Sequence, residues 1–155
     1  MSFKECAACG GDCSEALGEL SAYTLTRLDR EFIHQHVVDA YGASHGGFQG
    51  GARIRSNIGI AFSLLGLYLA IEKGYTGRQV QLAHMALARW RKQYPLPEGS
   101  PERAAITVID VMKTEAGEAR DRMVKQWAAA VWESWGPAQE WTRGLWREFE
   151  ASSWK

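Results

Sequence analysis

The chain has 155 residues, 46% of them hydrophobic, with 18 basic and 18 acidic side chains and no formal net charge. That size and apolar content suit one domain with a real core rather than a disordered chain. Balanced charge argues against a dedicated nucleic-acid binder, which needs an excess of Lys and Arg facing the phosphates.

The opening MSFKECAACGG has no apolar signal-peptide core, so a cytoplasmic protein with mostly reduced cysteines is expected. Residues 6–13 read CAACGGDC and hold all three cysteines. Cys6 and Cys9 have the spacing of a metal knuckle, whose turn points two sulfurs at one ion, and Gly10 lets backbone amides approach the thiolates. A thioredoxin-type redox pair has the same spacing but should follow a strand, and no apolar strand precedes Cys6. Three free thiols are the bland alternative. With Cys13 the set has three thiolates, one short of the tetrahedron of a structural zinc site, and a histidine normally completes it.

Ser14 is placed to cap a helix running to about Leu28, with Leu17, Leu20, Thr24 and Leu28 as its buried stripe. Asp29 is placed to cap a second helix, about Arg30 to Ala43, whose apolar positions are Phe32, Ile33, Val37, Ala40 and Tyr41. The stretch from Asp29 to Gly47 carries three of the four histidines. His34, Tyr41 and His45 fall roughly along one face, but His34 and His45 are eleven residues apart, about 16 Å along a helix. Two helices joined by so short a turn should pack antiparallel. That hairpin returns His45 to Cys13 and leaves His34 at the far end, so His45 is the expected fourth ligand, with His84 and His34 as fallbacks. Asp39 lies about 140° around the helix from His34, which is poor for direct pairing. His36 and Asp39 are closer, and read as a common surface pair.

The sequence GGFQGG from Gly46 to Gly51 reads as a freely turning loop. From Arg53 to Lys73 the chain is most hydrophobic. Its apolar run Ile58–Ile71 is too short for a bilayer, which needs about 20 residues, so it reads as the central buried helix stopped by Gly74. Gly59 and Gly66 inside it point to close approach of a neighbouring helix. Thr76 and Gln79 form a capping box for a helix to about Tyr94, with Val80, Ala83, Leu87 and Trp90 facing inward and His84 near that face. A lone histidine there is more often a hydrogen-bonded core residue than a ligand.

Pro95 and Pro97 end that helix. The β-branched run AAITVIDV (104–111) is ambiguous between helix and strand, with helix preferred. Val124, Trp127, Val131 and Trp135 repeat at helical spacing from about Glu118 to Trp135, and a last helix spans about Pro137 to Phe149, before a tail at 151–155. The tryptophans follow the buried face and read as core rather than as a ligand-binding aromatic box. Trp154 lies in the tail. Arg89, Arg91 and Lys92 cluster on one helix, which is usually a solvated face rather than a DNA-reading one. The expected architecture is all-α, a single domain (1–155) of about five or six helices with a cysteine knuckle at 1–13.

The CxxCG start at Cys6–Gly10 and the block HxxxVDAYxxxH from His34 to His45 resemble an uncharacterised bacterial family, domain-of-unknown-function family 5946. The segments GLYLAIEKG at Gly66–Gly74 and WAAAVWESW at Trp127–Trp135 are similar too. The resemblance covers most of the chain. Members often have Pro where this chain has Gly46, and histidines where it has Ala138–Gln139, so any site those histidines serve is incomplete here. The family has no assigned activity, so the resemblance implies a fold and a metal rather than a reaction.

Two functions remain. One is a non-enzymatic helical protein with a closed zinc site of Cys6, Cys9, Cys13 and His45, binding a protein or small-molecule partner and open to homo-oligomer formation. The alternative is a metal-dependent, hydrolase-like enzyme whose pocket contains His34, Asp39, Tyr41 and His84. No Ser-His-Asp order, phosphate loop or HExxH motif is present.

Overall fold

The computed structural model describes residues 12–46, 48–49, 52–53, 56–94, 97 and 101–152. Among them the chain forms seven helices, α1 (Cys13–Leu25), α2 (His34–Ser44), α3 (Asn57–Ile71), α4 (Gly77–Trp90), α5 (Val108–Lys113), α6 (Glu118–Ser134) and α7 (Ala138–Ser152). Within the stretch read as a free loop, Phe48–Gln49 (β1) pairs antiparallel with Ala52–Arg53 (β2), which follows it. No helix among the described residues is long and apolar enough to cross a membrane.

Helix α3 lies at the centre, against α2, α4, α6 and α7. Its side chains are buried on nearly every side, including Leu64, Leu65, Leu67 and Leu69, as befits a helix that is apolar all round. Ser56 caps its start by accepting from the Gly59 N–H, and Gly74, at φ 69°, turns the chain after its end. The glycine at 66 makes room for something more specific than a helix. A Cβ there would stand 1.9 Å from Asp39 Oδ2, so α3 admits the buried Asp39 carboxylate of α2.

The first two helices differ from their expected bounds for identifiable reasons. Asp12, not Ser14, caps α1 by accepting from the Glu15 N–H. Leu28, expected on the buried stripe, is fully exposed because α1 has already ended at Leu25. Asp29 does act as a cap, but of a turn. Its carboxylate accepts from the Glu31 and Ile33 N–H groups, Phe32 takes φ 54°, and α2 starts only at His34. The left-handed Phe32 brings its carbonyl so close to Gly77 that a Cβ there would lie 1.8 Å away.

The β-branched run is coil until Thr107 and helical from Val108. Asp110 accepts from both the N–H and the hydroxyl of Thr107, starting α5. Trp127, Trp132, Trp135 and Trp146 are buried in the core; Trp141 and Trp90 pack against it. Helix α7 continues through Ser152, past the expected start of the tail, and Trp154 lies outside the described residues. Arg91 lies over the Trp90 ring and pairs with Glu148, while Lys92 donates to the Ala88 carbonyl, so those two cations of the α4 cluster have local partners.

Candidate metal centre and the histidine environments

Helices α1 and α2 run antiparallel, and the open end of their hairpin brings Cys13, Tyr41 and His45 together. Cys13, 8% exposed, has its Sγ 3.5 Å from His45 Nε2 and 3.4 Å from the Tyr41 hydroxyl. His45 Nδ1 lies 2.7 Å from the Tyr41 carbonyl, which can only accept, so Nδ1 carries the proton and the Nε2 lone pair faces the sulfur. Ser44 Oγ lies 3.0 Å from the same Nδ1, and the Tyr41 ring stacks on the imidazole with centroids 4.0 Å apart.

The end of α2 is held from behind. Trp135, at the end of α6, donates from Nε1 to the Ala43 carbonyl at 3.1 Å. Its ring lies where a Cβ on Gly46 would meet it at 2.9 Å. The imidazole therefore sits on a fixed backbone with a fixed tautomer, the condition under which histidine ligates best.

This donor pair has the dimensions of half a zinc site. A tetrahedral ion with a thiolate at about 2.3 Å and an imidazole nitrogen at about 2.0–2.1 Å separates those atoms by about 3.5 Å. Cys6 and Cys9, the other expected ligands, lie outside the described residues. Among the described residues no three His, Cys, Asp or Glu side chains are grouped to hold a metal.

The residues of the alternative pocket occupy three separate settings. His34, at the start of α2, has Nδ1 2.8 Å from Thr24 Oγ1, and burial holds its pKa below the ordinary value. Tyr41 belongs with Cys13 and His45. Asp39 and His84 are joined through Gln35, whose Nε2 lies 3.3 Å from Asp39 Oδ1 and 3.4 Å from His84 Nδ1. His84 Nε2 donates to the Phe62 carbonyl at 2.9 Å, its ring stacks on Phe62, and burial lowers its pKa. This is the hydrogen-bonded core histidine that the α4 pattern favours.

The described structure singles out a histidine that sequence reasoning passed over. His36, read as half of a surface pair with Asp39, is buried, as is Asp39. It lines a cavity of about 460 Å³ near the closed end of the hairpin, bounded by the Arg27–Ile33 turn, the end of α3, the Gly74–Thr76 turn and α6. Burial first, then the Lys125 charge, push its pKa down to about 4, with Asp29 opposing. The signal was in the spacing. Ile33, His36, Val37 and Ala40 form one helical stripe, and His36 stands within it.

On one rim of this cavity Arg27 and Asp121 pair at 2.6 Å, and the Tyr23 hydroxyl accepts from Arg27 and donates to Asp121. Burial alone would raise the Asp121 pKa, but the hydrogen bonds from Arg27 and Tyr23 bring it below the ordinary range.

A family model described as a family of unknown function, DUF5946, matches residues 2–136. No curated protein and no solved structure matches the chain.

Proposed function

The chain belongs to the DUF5946 family of unknown function, and from that premise we propose that it is a helical binding protein with a structural zinc ion held by Cys6, Cys9, Cys13 and His45. The observation that carries this reading is the 3.5 Å separation of Cys13 Sγ and His45 Nε2, together with a tautomer that turns the Nε2 lone pair toward the sulfur. Three thiolates and one imidazole complete a tetrahedron and leave no position for water, so the ion would fasten the N-terminal segment to the α1–α2 hairpin rather than act on a substrate. The Tyr41 hydroxyl would donate to the Cys13 thiolate, moderating its charge. Function then lies in recognition of a partner, a protein or a small molecule, by the helical body.

The test is metal analysis of reduced protein purified without chelator. One zinc per chain is expected, and cobalt substituted for it should give the absorption of a tetrahedral thiolate site. Cys13→Ser and His45→Ala should each lose that signature while keeping most of the helical circular dichroism. Protein that holds no zinc and takes up no cobalt under these conditions would refute the reading.

A further inference from the structure

His36 is 6% exposed, and its Nδ1 is enclosed with no hydrogen-bond partner. An enclosed polar nitrogen without a partner is a desolvation cost that the fold leaves uncompensated, and the same ring lines the cavity. The other charges on the cavity wall divide by whether they are already engaged. Arg27 and Asp121 hold each other, and Arg27 also lies 4.0 Å from Asp29. Asp29 accepts from two backbone N–H groups of its own turn. The Glu31 carboxylate and the Lys125 ammonium enter no ion pair or hydrogen bond among the described residues. One anion, one cation that acts on Asp121 and His36 only at a distance, and a neutral imidazole thus face a ligand. Ile33, Ala70 and Ala128 add apolar wall. The volume falls within the range of small-molecule sites.

We propose that this cavity binds a small zwitterion, an α-amino acid with an aliphatic side chain. Its carboxylate lies against Lys125 and the His36 imidazole, its ammonium group faces Glu31, and its side chain lies on the apolar wall. An ammonium near Glu31 and a carboxylate near Lys125 neutralise both free charges, whereas an anion or cation alone leaves one of them opposed. Binding should also couple to protons. His36 is neutral because it is buried near Lys125; a bound carboxylate offsets that cation and favours the imidazolium. Asp29 already acts in that direction, and the Arg27–Asp121 pair is neutral as a unit.

The experiment is an NMR titration of the labelled chain with L-leucine and L-valine, and with butyrate and butylamine as single-charge probes. Saturable shifts of the His36 ring resonances are expected with the amino acids. At least tenfold weaker binding is expected for each single-charge probe, and for the Lys125→Met and Glu31→Gln variants, which alter exposed side chains. Near pH 5, close above the free-state pKa of about 4, proton uptake on binding should appear as a heat that depends on the buffer's ionisation enthalpy. The proposal is overturned if the amino acids leave His36 unmoved, if butyrate binds as tightly as leucine, or if Lys125→Met binds like the native chain. Zinc is assayed in the same sample, so leucine binding without zinc, or zinc without leucine binding, separates this site from the metal centre.

Discussion

His36 folds with its imidazole neutral, at a pKa of about 4 against an ordinary 6.5. The unfolded chain therefore takes up a proton between those values that the folded chain refuses. Stability from this group is complete above about pH 6.5 and is lost as pH falls towards 4, by up to about 3 kcal/mol. His34 and His84, also lowered by burial, act in the same direction. Urea midpoints should fall from pH 7 to pH 4.5, and His36→Gln should flatten part of that slope; an unaltered slope in the variant would exclude His36 as its source. A second residue-scale expectation concerns Gly66. Alanine there sets its Cβ against the Asp39 carboxylate and should destabilise the chain by about 1–3 kcal/mol in chemical denaturation. Asp39→Ala in that background should recover part of the loss. The sequence pattern showed that a close approach occurs at Gly66, because glycine inside an apolar helix needs a reason. It did not show a carboxylate as the neighbour, because a buried acid is not visible in periodicity.

Helical periodicity located the elements well, since apolar stripes report which face is buried. It located their ends less well. The Asp29–Ile33 turn depends on a left-handed Phe32, and nothing about a phenylalanine advertises that conformation. Periodicity alone therefore starts α2 about a turn too early and puts Leu28 in a core it does not reach. The capping box at Thr76 is the opposite case, because S/T-x-x-Q is itself the hydrogen-bonding pattern. Thr76 accepts from the Gln79 N–H and Gln79 Oε1 accepts from the Thr76 N–H. Thr76→Ala should lower stability by about 1 kcal/mol, read from thermal or urea unfolding. Helix α5 explains why seven helices stand among the described residues where five or six are expected. It has six residues, too few for a periodic stripe, and is defined by Asp110 binding back to Thr107.

Across the whole molecule, distant elements are joined by a few polar links laid over the apolar core. Glu72, just beyond α3, accepts from Arg143 on α7 and from Trp132 on α6; the Arg143 bonds first, then the indole, hold its pKa below the ordinary range against burial. Tyr23 and Arg27 tie the end of α1 to Asp121 on α6. Trp135 does the same for the end of α2, so Trp135→Phe should take the indole donor from the Ala43 carbonyl, which keeps the Gly46 N–H, and cost about 1 kcal/mol. If zinc is held at His45, that variant should also release it faster to a chelator. These long-range links were invisible in the chain order, although the hairpin that joins Cys13 and His45 follows from two helices and a short turn. Two glycines then carry different histories. Position 66 is crowded by a side chain, so relatives can exchange residues there if position 39 shrinks in step, and the two columns should covary. Position 77 is crowded by the main chain of Phe32, which no exchange of side chain removes. It should stay glycine in every descendant that keeps the turn.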